Sequence, residues 1–512
     1  MTTLRLLDLL VVAVYMAAMA YLGLRFSRRQ TSTETYFVAR RSIPSWAMGI
    51  SLFATLVSSV TYIAYPGSAY AGDWSLLVPG LMILVVLALV GSVVIPFYRQ
   101  AVGMSAYEYF GKRFGRPTRM YASLAFTLAH FSKMGFVYYL LALTVNTMTG
   151  WDISWVIVAV GAVTVFYTVI GGLEAVIWTD VCQALIMWIG IFICLAYLLL
   201  LPPGGPSAVL ALAWDNSKFS MGSASLDFAK PTLPVLLLYG FFWYLQKYVA
   251  DQTAVQRYLA ARSDREARHG IALGAVLCVL VWTVFMLIGT LTWSFYRMTG
   301  EKLPASVTKA DQVFPHFLST HIPAGLAGLF LASLLAAAMS TLSGDLNSIA
   351  VVAVEDFYRA LKPASTDRQR LRLGRWVVGV FGAIAVGMAL FLAHTRGTAL
   401  SMWFSVSAIL SGGLAGLFLL AFLSTRASRR GAYAGILASL AFTAWATLTL
   451  GDNRILDLGR CNFPWHDLTI GAIGHGLLLT VGYLASLLLP EKQGDPREFR
   501  RMTLWGWLET RT

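Results

Sequence analysis

The sequence predicts an all-α polytopic membrane protein with about thirteen transmembrane helices, and three observations predict it. The 512 residues are 57% hydrophobic and only 12% charged, with a mean hydropathy of +0.67, too little charge to coat a water-soluble chain of this size. Apolar runs of about 20 residues recur along the chain, each long enough to cross a hydrocarbon core of about 30 Å as a helix. They are continuous and do not alternate as barrel strands would. The cations are also unevenly spread. With the N-terminus outside, 28 of the 39 Lys and Arg fall in inner segments and 9 in outer ones. That asymmetry supports an odd number of spans in a plasma (inner) membrane, with the C-terminus cytoplasmic. It also accounts for the net charge of +14, which faces anionic lipid rather than a nucleic acid.

The spans are predicted near 7–25, 46–70, 77–97, 120–148, 154–171, 178–201, 233–256, 270–295, 325–354, 374–395, 401–424, 431–450 and 469–489. Span 1 has Arg5 before it, arginines after it and no small-residue cleavage site, so it reads as a retained helix. Span 2, SLFATLVSSVTYIAYPGSAYAG, places Ser58–Ser59 and Pro66–Gly67 at mid-membrane. Unwinding there frees the carbonyls of Ala54 and Val57, which suit a cation in a cavity; a proline kink satisfied by neighbouring hydroxyls is the alternative. Span 4 carries Lys133 and span 7 carries Lys247. An ionisable group at that depth is a functional candidate unless it is a structural pair, and Lys247 has Asp251 four residues on. Span 6 follows GGLEAVIWTDVCQ, where Asp180 either caps a helix start or reaches an ion.

Span 9 contains AAAMSTLSGDLNS. The Ala337 carbonyl and the Ser340 and Thr341 hydroxyls are hard oxygen ligands, suited to Na+ and not to a transition metal, although hydroxyls in membrane helices also serve packing. Spans 3, 5, 8 and 10–13 are apolar runs without a comparable motif. The tail EFRRMTLWGWLETRT reads as an interfacial anchor with Trp505 and Trp507 at headgroup depth. Cys182, Cys194, Cys278 and Cys461 show no paired spacing, and the seven histidines are scattered, so neither a metal site nor an enzyme is indicated. No repeated filter loop suggests a channel.

The runs GGLEAVIWTDVCQALIM, AAAMSTLSGDLNSIA and DQTAVQRYL together resemble the sodium:solute symporter family. The resemblance implies a LeuT-like core of two inverted five-helix repeats, residues 46–201 and 233–424, with peripheral helices at 7–25 and 431–489 and a tail from 490 to 512. The chain's own pattern agrees in part: broken span 2 and polar span 7 stand first in the two halves. The resemblance places the common sodium on Ala54, Val57, Ala337, Ser340 and Thr341, and makes Asp180 a coupling carboxylate. A second sodium would use Asp180 and Ser343; Gly344 stands where sialic-acid-type members have a serine, with Asp345 as a substitute.

For the solute, Ser58 and Thr61 match sialic-acid-type members, and Lys133 falls where those carry an arginine. Lys247, near Tyr244, stands where galactose-type members have a gating tyrosine, and Thr61 replaces their glutamine. The expected activity is sodium-coupled import of a small organic anion, such as sialic acid or a monocarboxylate, by alternating access. The alternatives are a neutral sugar or polyol as solute, or a proton-coupled or sodium-independent transporter of the same fold.

Overall fold

The computed structural model describes residues 6–305, 307–394, 409, 412–451, 454–491 and 496–509. Among these the chain is helical without strands, and a lone bridge joins Ile43 to Ala261. Among the described residues nine helices are long and apolar enough to cross a membrane, ten when the bent pair Ser45–Leu56 and Ser59–Ala71 counts as one span.

The helices that build the site are α1 (Leu6–Ser27), α2 (Ser45–Leu56), α3 (Ser59–Ala71), α4 (Leu77–Ala101), α5 (Arg116–Thr149), α6 (Ile153–Leu200), α7 (Leu233–Ala250), α8 (Gln252–Ala260), α9 (Asp264–Thr299), α10 (Val313–His321) and α11 (Leu326–Val352). After them come α12 (Asp367–His394), α13 (Leu414–Leu423), α14 (Arg429–Thr449) and α15 (Leu468–Leu488). The first part of the predicted span 401–424 lies outside the described residues.

Helix α11 is the centre of the molecule. Every residue from Phe330 to Val352 is buried, packed among α1, α2, α5, α6 and α12. A helix that is apolar and enclosed on all sides tolerates hydroxyls, an amide and a carboxylate only where each finds a partner. This is why its polar residues are informative.

Breaks in the other helices supply those partners. α2 and α3 meet at 62°, with Val57 (φ −89°, ψ 111°) and Ser58 (φ −111°, ψ 174°) extended between them. The Ser58 N–H donates to the Thr61 hydroxyl, a local bond that competes with helix and starts α3. Pro66–Gly67, read from sequence as a second weak point, lies inside unbroken α3. There the small Gly67 lets Asp311 approach, and Gly289 of α9 packs against Pro66.

Helix α6 runs 48 residues, about 72 Å at 1.5 Å per residue, more than twice the core thickness. It breaks at Gly172 (φ 57°, ψ −162°), where a Cβ would meet the Tyr36 ring at 2.7 Å. The Tyr36 hydroxyl donates to the Thr168 and Val169 carbonyls just before the break. α7 and α8 are separated at Asp251, which is extended (φ −101°, ψ 119°).

The two tryptophans of the tail stand differently. Trp507 is buried against Phe97, ring centroids 5.7 Å apart, while exposed Trp505 donates to the Leu423 carbonyl at the end of α13. Protein packing holds Trp507.

Candidate functional site

Helix α2 ends beside the middle of α11, and the last carbonyls of α2 have no following turn to accept from. The hydroxyls of α11 fill that need. Ser340 donates to the Ala54 carbonyl at 2.7 Å and to the Ala337 carbonyl at 3.2 Å. Thr341 donates to the Thr55 carbonyl at 3.2 Å and the Ala337 carbonyl at 3.1 Å. Ala54, Ala337, Ser340 and Thr341 are thus brought together, all fully or almost fully buried. Val57 lies at the break itself, also buried, but neither hydroxyl bonds its carbonyl; Thr55 provides the other carbonyl. The result is a dry cluster of neutral carbonyl and hydroxyl oxygens without nitrogen or sulfur. That donor set fits a hard monovalent cation.

A second cluster adjoins it, with Arg257 lying close to both Thr55 of α2 and Gly344 of α11. Asp180 accepts from the Ser51 hydroxyl at 2.5 Å and lies 3.4 Å from Arg257, both side chains of the ion pair fully buried. Arg257 also donates to the Ser51 hydroxyl at 3.1 Å, the Thr253 carbonyl at 2.7 Å and the Thr55 hydroxyl. The guanidinium therefore ties α8 to α2 and α6. Arg257, one residue beyond the predicted span 233–256, is a core residue. Asp180 stands two turns past the break at Gly172, so it does not cap the helix. Asp180 Oδ1 and, one turn on, Gln183 Oε1 are buried acceptors without a hydrogen-bond partner among the described residues. Ser343 donates to the Ser340 carbonyl at 3.2 Å.

Asp345 does not join Asp180. It pairs with Lys133 at 2.7 Å and faces His130 Nδ1 at 2.8 Å, both on α5. The other ring nitrogen of His130 meets Asp251 at 3.1 Å, and Asp251 pairs with Lys247 at 2.7 Å. Both lysines are therefore paired, as the alternative reading of each allowed, and the pairs belong to one chain of five ionisable groups. Lys133 stays 37% exposed and Lys247 13%. Ser58 and Thr61 cap α3 at the break, and Tyr244 lies one turn before Lys247 with its ring 5.9 Å from Trp282.

Sequence reasoning passed over His130 and the depth of Arg257. Both stood in or beside apolar runs, where an unexplained ionisable residue is itself a signal.

A broken helix whose end meets buried hydroxyls on a packed neighbour, inside a bundle of apolar spans, defines a membrane transporter of the helix-break ion-site class. Comparison with known proteins narrows this. Residues 36–439 match the sodium:solute symporter family, and the chain belongs to it. It is 31% identical to the sodium/sialic acid symporter NanT of Aliivibrio fischeri over 482 residues, 94% of this chain and 93% of that protein. It is 32% identical to SiaT, a sodium/sialic acid symporter of Proteus mirabilis, over 429 residues, 83% of this chain and 86% of that one. The structure superposes on a substrate-bound, outward-open Na+-coupled sialic acid symporter with a TM-score of 0.89 and 30% identity, covering 96% of this chain and 99% of that one. The nucleobase-cation symporter Mhp1 shares the fold alone, at TM-score 0.55 and 16% identity, over 91% of this chain and 98% of that one. The protein is a sodium-coupled solute symporter, a multi-pass membrane protein from a family of transporters.

Proposed function

We propose that this symporter imports a small organic anion, such as sialic acid or a monocarboxylate, across the plasma membrane by alternating access. The observation that carries the coupling is the Ser340-to-Ala54 contact between a broken helix and the central helix. Ala54, Val57, Ala337, Ser340 and Thr341 hold sodium there. A bound cation takes the place of the hydroxyl hydrogens as the positive partner of these oxygens, so the ion and the apposition of α2 with α11 stabilise each other. Separating the two helices on inward opening removes ligands and releases the ion. Each ligand shifts the equilibrium by its differential affinity for the two states.

Asp180 and Ser343 form the second coupling site, supported by the unpartnered Asp180 Oδ1 and Gln183 Oε1; Asp345, engaged elsewhere, is not part of it. Lys133 and Lys247 recognise the anion, with Ser58, Thr61 and Tyr244 around them. The topology is thirteen spans with the N-terminus outside and the C-terminus cytoplasmic. The two inverted repeats span 46–201 and 233–424, with peripheral helices at 7–25 and 431–489. Support comes from the matching breaks at Val57–Ser58 and Asp251, in the first helix of each half.

Uptake into proteoliposomes under an imposed Na+ or H+ gradient tests the reading. Sialic acid or lactate accumulation that persists when choline replaces sodium refutes it.

A further inference from the structure

We propose that the short helix α8 carries the coupling between solute and sodium, through one run of hydrogen bonds from Lys247 by way of Thr253 and Arg257 to Thr55. The proposal rests on the reading that Lys247 meets the solute and Thr341 the ion.

Helix α8 has nine residues, all of them buried. A helix that short does not hold its own shape, so its position follows from what it touches. It begins at a hinge, the extended Asp251 that separates it from α7. Lys247 reaches across that hinge. Its Nζ donates to Asp251 at 2.7 Å and to the Thr253 hydroxyl at 3.0 Å, and Thr253 donates its hydroxyl hydrogen to Asp251. These bonds join the last turn of α7 to the first turn of α8. They leave Nζ, which carries three donors as an ammonium, a third position for a solute oxygen.

One turn on, Arg257 Nη1 donates to the Thr253 carbonyl at 2.7 Å. Its Nη2 donates to the Thr55 hydroxyl and its Nε to the Ser51 hydroxyl at 3.1 Å, both on α2. Thr55 in turn presents its carbonyl to the Thr341 hydroxyl at 3.2 Å, within the oxygen cluster. The guanidinium also lies against α11: a Cβ on Gly344 would stand 3.2 Å from Nη2, so the bare glycine leaves it room. Three residues, each bonded to the next, thus lead from the solute lysine to a sodium hydroxyl.

The neighbouring polar residues of α8 reach elsewhere. Gln252 bonds the Ala106 N–H and the Met104 carbonyl at 2.7 Å each, and Gln256 bonds the Phe37 carbonyl and Asn347 at 2.6 Å each. Those contacts anchor the helix. Thr253 and Arg257, four apart on one face, connect the two ligand positions. Sodium between α2 and α11 fixes Thr55; Thr55 and Arg257 then fix the setting of α8, and Thr253 holds Nζ ready for the solute. Both ligands therefore bias one hinged element, which is the physical condition for linkage between them. Thr253, Arg257 and Thr55 are positioning residues: they act through Lys247 and Thr341.

The test uses purified full-length protein, with sialic acid and lactate as probes and their affinities measured by calorimetry in sodium and in choline. In the wild type sodium should tighten probe binding at least about fivefold. Thr253→Val and Thr55→Val each remove one hydroxyl of the run, while Lys247, Asp251 and the Thr55 carbonyl remain. Each should reduce the sodium effect to within about twofold. Thr253→Ser and Thr55→Ser keep the hydroxyl and should keep the wild-type ratio. Thr253→Ala and Thr55→Ala provide the same readout if a valine variant misfolds. A wild-type ratio that survives in the valine or alanine variants overturns the proposal, even where Tm and both affinities fall, because the run is then a structural tie alone. A ratio lost equally in the serine variants overturns it too, since the hydroxyl is then not what matters. If neither probe binds the wild type, the solute reading fails and the proposal with it. If a probe binds equally in sodium and in choline, the sodium-coupling reading fails instead, and again the proposal with it.

Discussion

The Ser340 hydroxyl donates a 2.7 Å hydrogen bond to the Ala54 carbonyl, across 286 residues of sequence and the α2–α11 interface. This contact joins the helix that breaks to the helix that does not. Its expected consequence is that Ser340→Ala and Thr341→Ala each raise the half-saturating sodium concentration about tenfold or more, since a hydrogen-bonding or ligating group for a charge contributes about 1.5–3 kcal/mol. Sodium titration of thermal stability and of uptake measures it. Both variants should still insert and fold, because α11 keeps its apolar packing and its other polar contacts, such as Asp345 with Lys133. Unaltered sodium dependence in both removes these hydroxyls from the site.

Arg257 and Asp180 make a different prediction. Their pair is fully buried and 3.4 Å apart, so removing one partner strands the other in a dry core. Arg257→Ala should destabilise the protein by about 3–5 kcal/mol, seen as loss of folded yield and a lower Tm. Arg257→Leu with Asp180→Leu should regain much of that stability while losing sodium coupling, because both charges go together. A stable Arg257→Ala single variant would show that water or another group already compensates Asp180.

Some of this was legible in the sequence for physical reasons that are local. The break after Val57 could be read because Ser58 bonds its own neighbour three residues on, and Ser340–Thr341 because hydroxyls in an all-apolar helix stand out. Pro66–Gly67 misled for the complementary reason: proline removes one donor, but tertiary packing kept α3 helical. Arg257 was hidden because an arginine just beyond an apolar run looks like an inner-loop anchor; its partner Asp180 lies 77 residues away. His130 was hidden further, its two carboxylates 121 and 215 residues distant. Long-range polar pairing leaves no periodicity to read, only the anomaly of a charge in an apolar setting.

Lys133 separates solute recognition from ion binding. Lys133→Ala should abolish or weaken by about tenfold or more the binding of a carboxylate solute, with the sodium midpoint moved far less. Lys247→Ala should cost more stability, because its ammonium is less exposed and also bonds Thr253 at 3.0 Å. Paired calorimetric titrations of sodium and of sialic acid on both variants decide it. Equal loss of both ligands in Lys133→Ala would make that lysine a structural pair only.

Asp8 offers a prediction remote from the oxygen cluster. Its carboxylate, buried near the start of α1, accepts from the Gly325 and Gly328 N–H groups at 2.7 Å each, capping the first turn of α11 from another helix. Gly325 has φ +84°, a conformation glycine adopts without strain, which lets the chain turn into α11 at that carboxylate. Helix α1 thus fixes one end of the helix that carries Ser340 and Thr341. Asp8→Ala removes the cap and should cost about 1–2 kcal/mol of stability. Because α11 must also keep its register against α2, a modest rise in the sodium midpoint should accompany the fall in Tm. Asp8→Asn, which keeps an acceptor oxygen but not the charge, should restore most of both. If Asp8→Ala lowers Tm with no change in sodium affinity, α1 anchors the bundle without influencing the ion site.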